Sequence, residues 1–274
     1  ALLAGTKADT SRVRLLTRIA YDLRATDNER MRRHATDALA LSRSLNDKSG
    51  IGMALKCLGI YYSLINDETH ALEHFQDSYD VYEQAGLKND ALDIAISIIQ
   101  ALRQQKLYDR ALVLAKRNTA RAHELGDGRN EAWLLYAMYS VYDGMNRLVD
   151  AKVCLIESIR ILKSLGRERN AANFELNLAQ EYRQEKNLDS ARIVFQRVLQ
   201  VFIKEKEPYA LANTYTSLGR LDIETKHFGS AKANLTLAME NARVTEDPVY
   251  IGMCYGAMAS LSETQGDLGT ASAL

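Results

Sequence analysis

The sequence predicts an all-α protein, an αα-superhelix built from stacked antiparallel helical hairpins, and three observations carry that prediction. Alanine recurs at Ala71, Ala111, Ala151, Ala191, Ala231 and Ala271, six times at a spacing of 40 residues. Within a unit the apolar residues fall at i, i+3, i+4 and i+7, as Leu55, Leu58, Gly59 and Tyr62 do, which is one face of a helix. Only 2 of the 274 residues are proline, where average usage gives about 14. Proline breaks helix interiors, so its scarcity suits long uninterrupted helices.

A fixed period of this length marks a supersecondary unit that buries its apolar face only by stacking on its neighbours. The units run over about 12–47, 50–87, 90–127, 130–167, 170–207 and 208–247, with an incomplete one over 248–274, as a single solenoid. Thirteen residues before each alanine stand Leu58, Ile98, Met138, Leu178, Leu218 and Met258. One step later come Gly59, Ile99, Tyr139, Ala179, Gly219 and Ala259, mostly small. Small residues belong where two antiparallel helices cross closely. Ala71, Phe75, Ser78 and Tyr82 trace the facing stripe of the second helix.

The individual units follow from this register. The opening unit has Ile19-Ala20 in the Leu-Gly place and Ala35 and Ala38 on its second helix, with a turn one residue short. Between the helices of the next unit lies Ile65-Asn66-Asp67-Glu68, whose acids suit a helix N-terminus. Tyr62, Leu102, Tyr142 and Tyr182 share a column from which Asp222 and Ser262 depart. Pro208 and Pro248 each open a first helix, where a missing N–H costs nothing. The last first helix, Tyr250 to Thr264, is expected to leave Ile251, Tyr255 and Met258 partly uncovered, favouring self-association or fraying there. A solenoid normally finishes with a polar cap, so the native protein is expected to continue past Leu274.

Charge and motif content exclude several functions. Lys+Arg and Asp+Glu both number 35, and a chain without positive excess is a poor binder of nucleic-acid backbone. The longest nearly apolar stretch, Ile94 to Leu102, is far short of the roughly 20 residues of a membrane helix. Cys57, Cys154 and Cys254 sit among apolar neighbours and read as small buried hydrophobes. His70 and His74 flank Glu73, but the order is not His-Glu-x-x-His and no third ligand is apparent, so a solvated helix face is the better reading. Asp90 and Asp93 read as first-turn acids facing the helix dipole, and Lys163 as a polar-face residue. No phosphate-binding loop or nucleophile elbow occurs. No catalytic, cofactor-binding or metal-binding residue is therefore expected, nor an enzyme.

The pattern Leu55-x-x-Leu58-Gly59-x-x-Tyr62 with Ala71, Phe75 and Ser78 resembles the tetratricopeptide repeat, as does Tyr215-x-x-Leu218-Gly219 with Ala231, Leu235 and Ala238. The resemblance covers about residues 12–274, with a period of 40 in place of the usual 34 and without the closing proline. It implies a scaffold that binds a protein or peptide segment. Asp9 to Leu16 leading into Ile19-Ala20-Tyr21 looks like the start of tetratricopeptide regions in bacterial signalling proteins. Those regions often precede a membrane helix and a kinase, cyclase or transcription regulator, which leans towards an exported sensory region. Animal cargo adaptors with 40-residue repeats look similar, and cytoplasmic and periplasmic locations both stay open.

In stacked hairpins of this kind the first helices line the groove. Their exposed stripe is expected 18, 15, 14, 11 and 8 residues before the marker alanine, giving Met53, Lys56, Cys57, Ile60 and Ser63, then Asp93, Ile96, Ser97, Gln100 and Arg103. The later units supply the candidate peptide-binding residues: Trp133 and Tyr136, then Asn173, Asn177, Gln180 and Arg183, then Asn213 and Arg220. An amide donates to and accepts from a peptide backbone at once, arginine binds carboxylates bidentately, and the two aromatics supply anchoring area. The alternative is a regulatory scaffold working through its convex face or by self-association.

Overall fold

The computed structural model describes residues 9–266. Among them the regular structure is helical throughout: α1 (Thr10–Asp22), α2 (Asn28–Ser44), α3 (Lys48–Leu64), α4 (Glu68–Gln84), α5 (Lys88–Gln104), α6 (Tyr108–Glu124), α7 (Gly128–Gly144), α8 (Leu148–Ser164), α9 (Glu168–Gln184), α10 (Leu188–Glu205), α11 (Pro208–Glu224), α12 (Phe228–Thr245) and α13 (Pro248–Gln265). The chain forms two compact units, Ala1–Cys154 and Leu155–Leu274, with α8 running across the division. Ala271, the last marker alanine, lies outside the described residues.

The turns keep a stricter clock than the side chains. A residue with positive φ stands at every twentieth position from Asn46 to Gly266, and eight of these are Asn, Lys or Glu rather than glycine. After each of the ten from Asn46 to Lys226 an N–H reaches back to a carbonyl five residues earlier, as Asp67 does to Tyr62 at 2.9 Å and Leu107 to Leu102 at 2.8 Å. This is the Schellman C-cap, and it closes first and second helices alike. A 17-residue helix and a three-residue turn make the half-period. The opening unit differs: α1 runs out through a 3₁₀ turn, Leu23–Ala25, with the Asp27 N–H on the Leu23 carbonyl at 2.9 Å. It stands where the later units have their three-residue left-handed turn.

Several helix starts are capped by acids. Asp27, Asp47, Asp67 and Asp127 each accept a hydrogen bond on the side chain from the N–H three residues on, which satisfies an otherwise orphaned donor. Pro208 and Pro248 occupy the first positions of α11 and α13, as expected.

The register places small residues at the crossings. Ala71, Ala111, Ala151, Ala191 and Ala231 are all buried. A Cβ on Gly59 would come within 2.5 Å of the Phe75 ring, and one on Gly219 within 2.6 Å of Leu235. These glycines are there for close approach. In the second unit Phe195, Val198 and Phe202 of α10 pack with Leu218 and Leu221 of α11. Burying each aromatic there stabilises the pair of helices by about 1.5–3 kcal/mol. On α13 Ile251 and Met258 are half-buried and Tyr255 is exposed.

Three surface readings need correction. Lys163 is not a free polar-face residue: its Nζ lies 2.5 Å from the buried carboxylate of Glu175, which Arg197 also holds at 2.7 Å. A carboxylate out of water needs such partners. His70 and His74 are not simply solvated, because both stack on Tyr62 with centroids 5.1 and 5.2 Å away, and burial pushes the His74 imidazole below its usual value. Asp93 is not a dipole-facing acid. It pairs with Lys56 of α3 and stands 4.0 Å from Arg129 of α7, linking three first helices.

Candidate functional site

In the first unit the first helices α1, α3, α5 and α7 share an inner face. Because one repeat is 40 residues, Met53, Asp93 and Trp133 occupy the same place on successive helices, as do Lys56 with Ile96 and Ile60 with Gln100. A pocket of about 510 Å³ opens on this face, with Tyr21 and Arg24 at one end, Trp133 at the other, and Lys56, Asp93 and Gln100 between. Of the stripe expected from the sequence, Lys56, Ile60, Ser63, Asp93, Ile96, Ser97, Gln100 and Trp133 line it, whereas Met53, Cys57, Arg103 and Tyr136 do not. A second pocket, about 450 Å³, continues from it over α1 and α3 and shares Tyr21 and Lys56.

Its aromatic end is ordered. Trp133 meets Tyr136 edge to face at 6.2 Å, and Tyr136 packs on Tyr139 at 5.4 Å. At the opposite end the Arg24 guanidinium lies 4.0 Å above the Tyr21 ring, a cation–π contact that fixes both side chains. Burial, with the Asp93 charge beside it, raises the Asp90 carboxyl above its usual range. The Nε of Arg103, one turn beyond Gln100 on α5, is buried without a hydrogen-bond partner.

The exposed stripe is narrower than the sequence implied. Cys57 and Ala137 are buried. The Cys57 Sγ faces the Thr17 carbonyl at 3.7 Å, and burial pushes its thiol up to about 12. In the second unit Leu176, Thr216 and Ser217 are likewise buried.

The six candidates of the second unit divide by what they already do. Gln180 donates to the Ser217 hydroxyl at 2.9 Å, and Arg183 donates to the Glu224 carboxylate at 2.8 Å and to the Gln180 Oε1 at 3.1 Å. Both are engaged in holding α9 to α11. Asn173 and Asn213 line a smaller pocket of about 230 Å³ with Arg169, Glu207, Tyr209 and Tyr250. Its walls are set by the Arg169–Glu207 pair at 2.9 Å and the edge-to-face Tyr209–Tyr250 contact at 5.3 Å. Asn177 is half-buried. Arg220 is half-buried and enters no ion pair or hydrogen bond among the described residues.

The links between repeats have a quieter signal than the apolar columns. It is a complementary partner close to one period away: 37 residues for Lys56–Asp93 and Gln180–Ser217, 38 for Glu83–Arg121, 41 for Arg183–Glu224. Among the described residues no group of three or more His, Cys, Asp or Glu is placed to hold a metal ion. No described helix is long and apolar enough to cross a membrane.

Comparison with known proteins places the fold. A model of the soluble NSF attachment protein family, SNAP, matches residues 117–240, fewer than half of the chain. No curated protein matches significantly. Aspartyl phosphate phosphatase F from Bacillus subtilis is similar in structure at a TM-score of 0.69 and 11% identity, over 92% of this chain and 65% of that one. A Signal Transduction ATPase with Numerous Domains from Pyrococcus horikoshii, with a tetratricopeptide repeat sensor, gives 0.67 and 16% over 96% of this chain and 42% of that one. NprR in complex with its cognate peptide NprX gives 0.60 and 15% over 95% and 75%. At such identities the likeness is one of fold: this chain has the all-α, tetratricopeptide-type helical-repeat architecture read from its sequence.

Proposed function

We propose that this chain is a non-catalytic binding scaffold, the regulatory or sensory part of a signalling protein. It holds a peptide or partner segment on the inner face of its first unit. The observation that carries the reading is the pocket of about 510 Å³ between Tyr21 and Trp133. Its volume suits one or two side chains of a bound segment. Trp133, backed by Tyr136, forms the apolar anchor, and burying an aliphatic or aromatic side chain against it is worth about 1.5–3 kcal/mol. What the pocket offers is shape, aromatic surface and paired charge, which is the equipment of recognition. That NprR is known with a cognate peptide supports the reading by fold analogy.

The second unit, taken by itself, presents polar groups of the same kind on its own inner face. Asn173, Asn177 and Asn213 address a peptide backbone, and Arg220 takes an acidic group or carbonyl. A charge-assisted bond from Arg220 is worth about 1.5–3 kcal/mol, so Arg220→Ala weakens binding about tenfold or more. Gln180 and Arg183 act instead by keeping α9 and α11 in place.

Trp133 is the only tryptophan of the chain, so its emission reports the pocket directly. Peptides selected from a random displayed library on the immobilised protein should shift Trp133 emission saturably when resynthesised. Tyr21→Ala should weaken that response while the helical circular dichroism stays unchanged. Selected peptides that bind without moving Trp133 emission, or that ignore Tyr21→Ala, would refute the site.

A further inference from the structure

A larger trough lies on the other side of the hairpins. It runs between the second helices α4 and α6 and measures about 840 Å³. Both helices pack on α5, whose Ile98 and Leu102 form the floor, while Leu72, Val113 and Leu114 form the apolar walls. Val113 is 70% exposed. Polar bridges close both ends. At one, Gln105 donates to the Glu68 carbonyl at 3.0 Å. At the other, Arg117 donates to the Tyr79 hydroxyl at 3.3 Å, and Arg121 pairs with Glu83.

Between those bridges the two walls have opposite sign and stay apart. The α4 helix carries five acids, Glu68, Glu73, Asp77, Asp80 and Glu83, and no lysine or arginine. The α6 helix carries four cations, Arg110, Lys116, Arg117 and Arg121, against Asp109 and Glu124. Glu73 and Asp77 line the trough on one side; on the other stand Arg110 and Arg117 with Asp109, which leaves that wall net basic. Glu73, Asp77 and Arg110 enter no ion pair among the described residues. Opposite charges that line one trough over an apolar floor without pairing across it are complementary to something that fits between them.

We infer that the α4–α6 trough docks an amphipathic helix of a partner protein whose two edges carry opposite charge. Lining residues span nine positions on each wall, Thr69 to Asp77 and Asp109 to Arg117, or about 12 Å of helix from first to last. That length receives apolar side chains at i, i+3 or i+4, and i+7 of the partner. α4, α5 and α6 already form three sides of a bundle, and the docked helix supplies the fourth. Lysine or arginine on one edge of the partner meets Glu73 and Asp77, and glutamate or aspartate on the other meets Arg110 and Arg117. Two unlike edges fix which way the helix lies, and like charge on both edges is repelled by one wall.

The test uses three synthetic helical peptides with one shared leucine stripe: one with a lysine edge and a glutamate edge, one with both edges lysine, one with both edges glutamate. Binding is read by fluorescence anisotropy at low salt. The mixed peptide should bind about tenfold tighter than either uniform one. Val113→Arg should abolish its binding. The double variant Glu73→Lys with Asp77→Lys, which makes both walls basic, should switch the preference to the all-glutamate peptide, with helical circular dichroism unchanged. Emission from Trp133, on the inner face, should not move, which separates this site from the one proposed above. Equal binding of the three peptides, no binding at all, or a preference unaltered by the wall swap overturns the inference. So does a concentration-dependent dimer lost in Val113→Arg, which would mean that a second copy of the chain covers the trough.

Discussion

Arg192 of α10 and Asp222 of α11 form an ion pair of 2.6 Å in which the carboxylate is only 1% exposed. Asp222 stands in the column that holds Tyr62, Tyr142 and Tyr182 elsewhere. Its second oxygen accepts from the Asn234 amide at 2.7 Å, and Arg192 also donates to the Thr225 hydroxyl at 3.2 Å. The departure from the repeat is therefore a polar substitute for an aromatic plug. Removing one partner leaves a buried charge unpaired, so Arg192→Ala should destabilise the protein by about 3–5 kcal/mol in urea unfolding. Replacing both partners by leucine should recover most of that loss. If Arg192→Ala unfolds at the wild-type urea concentration, the pair is not what stabilises this hairpin.

The left-handed turns carry removable strain. Lys106 and Lys226 sit at φ of 59°, a conformation that costs a residue with a Cβ about 1–2 kcal/mol and glycine little. After the greater unfolded-state freedom of glycine is deducted, Lys106→Gly and Lys226→Gly should each stabilise by about 0.5–1 kcal/mol. Lys106→Val should do the opposite. Thermal melts of the three variants decide the sign.

Overpacking a crossing should be costly in any repeat. Ala151 is 1% exposed, and Ala151→Leu should cost about 1–3 kcal/mol or more. Lys163→Ala is no neutral control, given the buried Glu175 beside it. Lys232→Ala, on an exposed position of α12, is. Equal melting temperatures for Ala151→Leu and Lys232→Ala would contradict the register.

The thiols should be silent in the folded state. Burial raises Cys57 to about 12, and Cys154 to about 11 with Asp150 adding to the effect, so little nucleophilic thiolate exists at pH 8. A disulfide reagent at that pH should label neither until denaturant is added, when all three cysteines react. The folded chain holds these protons to higher pH than the unfolded one, so stability should be unaffected at pH 7. It should fall only as pH rises past the ordinary thiol value of about 8.5. Prompt labelling of native Cys57 would show that α3 opens readily.

The helices, the pairing of each with the next and the face each turns inward are all legible in the order of the residues. They follow from a local period of 3.6 residues and a translation of 40, both written in which positions are small or apolar. Hence Ala71 and its repeats, Gly59 and both prolines fall where the register puts them, and spacing alone assigns Lys56, Asp93, Gln100 and Trp133 to the inner stripe. The width of that stripe is a matter of packing, which buries Cys57, Leu176 and Ser217. So is the question of which polar residues on it are engaged. Gln180 and Arg183 have the chemistry of ligand contacts but bind Ser217 and Glu224, whereas Arg220 has no ion pair or hydrogen bond among the described residues. The same holds for Lys163 on Glu175 and Arg192 on Asp222. Reach explains the difference: periodicity says which way a side chain points, whereas an ion pair depends on how far the neighbouring helix stands and which rotamer spans the gap. Even the twenty-residue turn clock is hidden in the sequence, because the Schellman hydrogen bonds hold Asn and Lys in a conformation that their side chains do not announce.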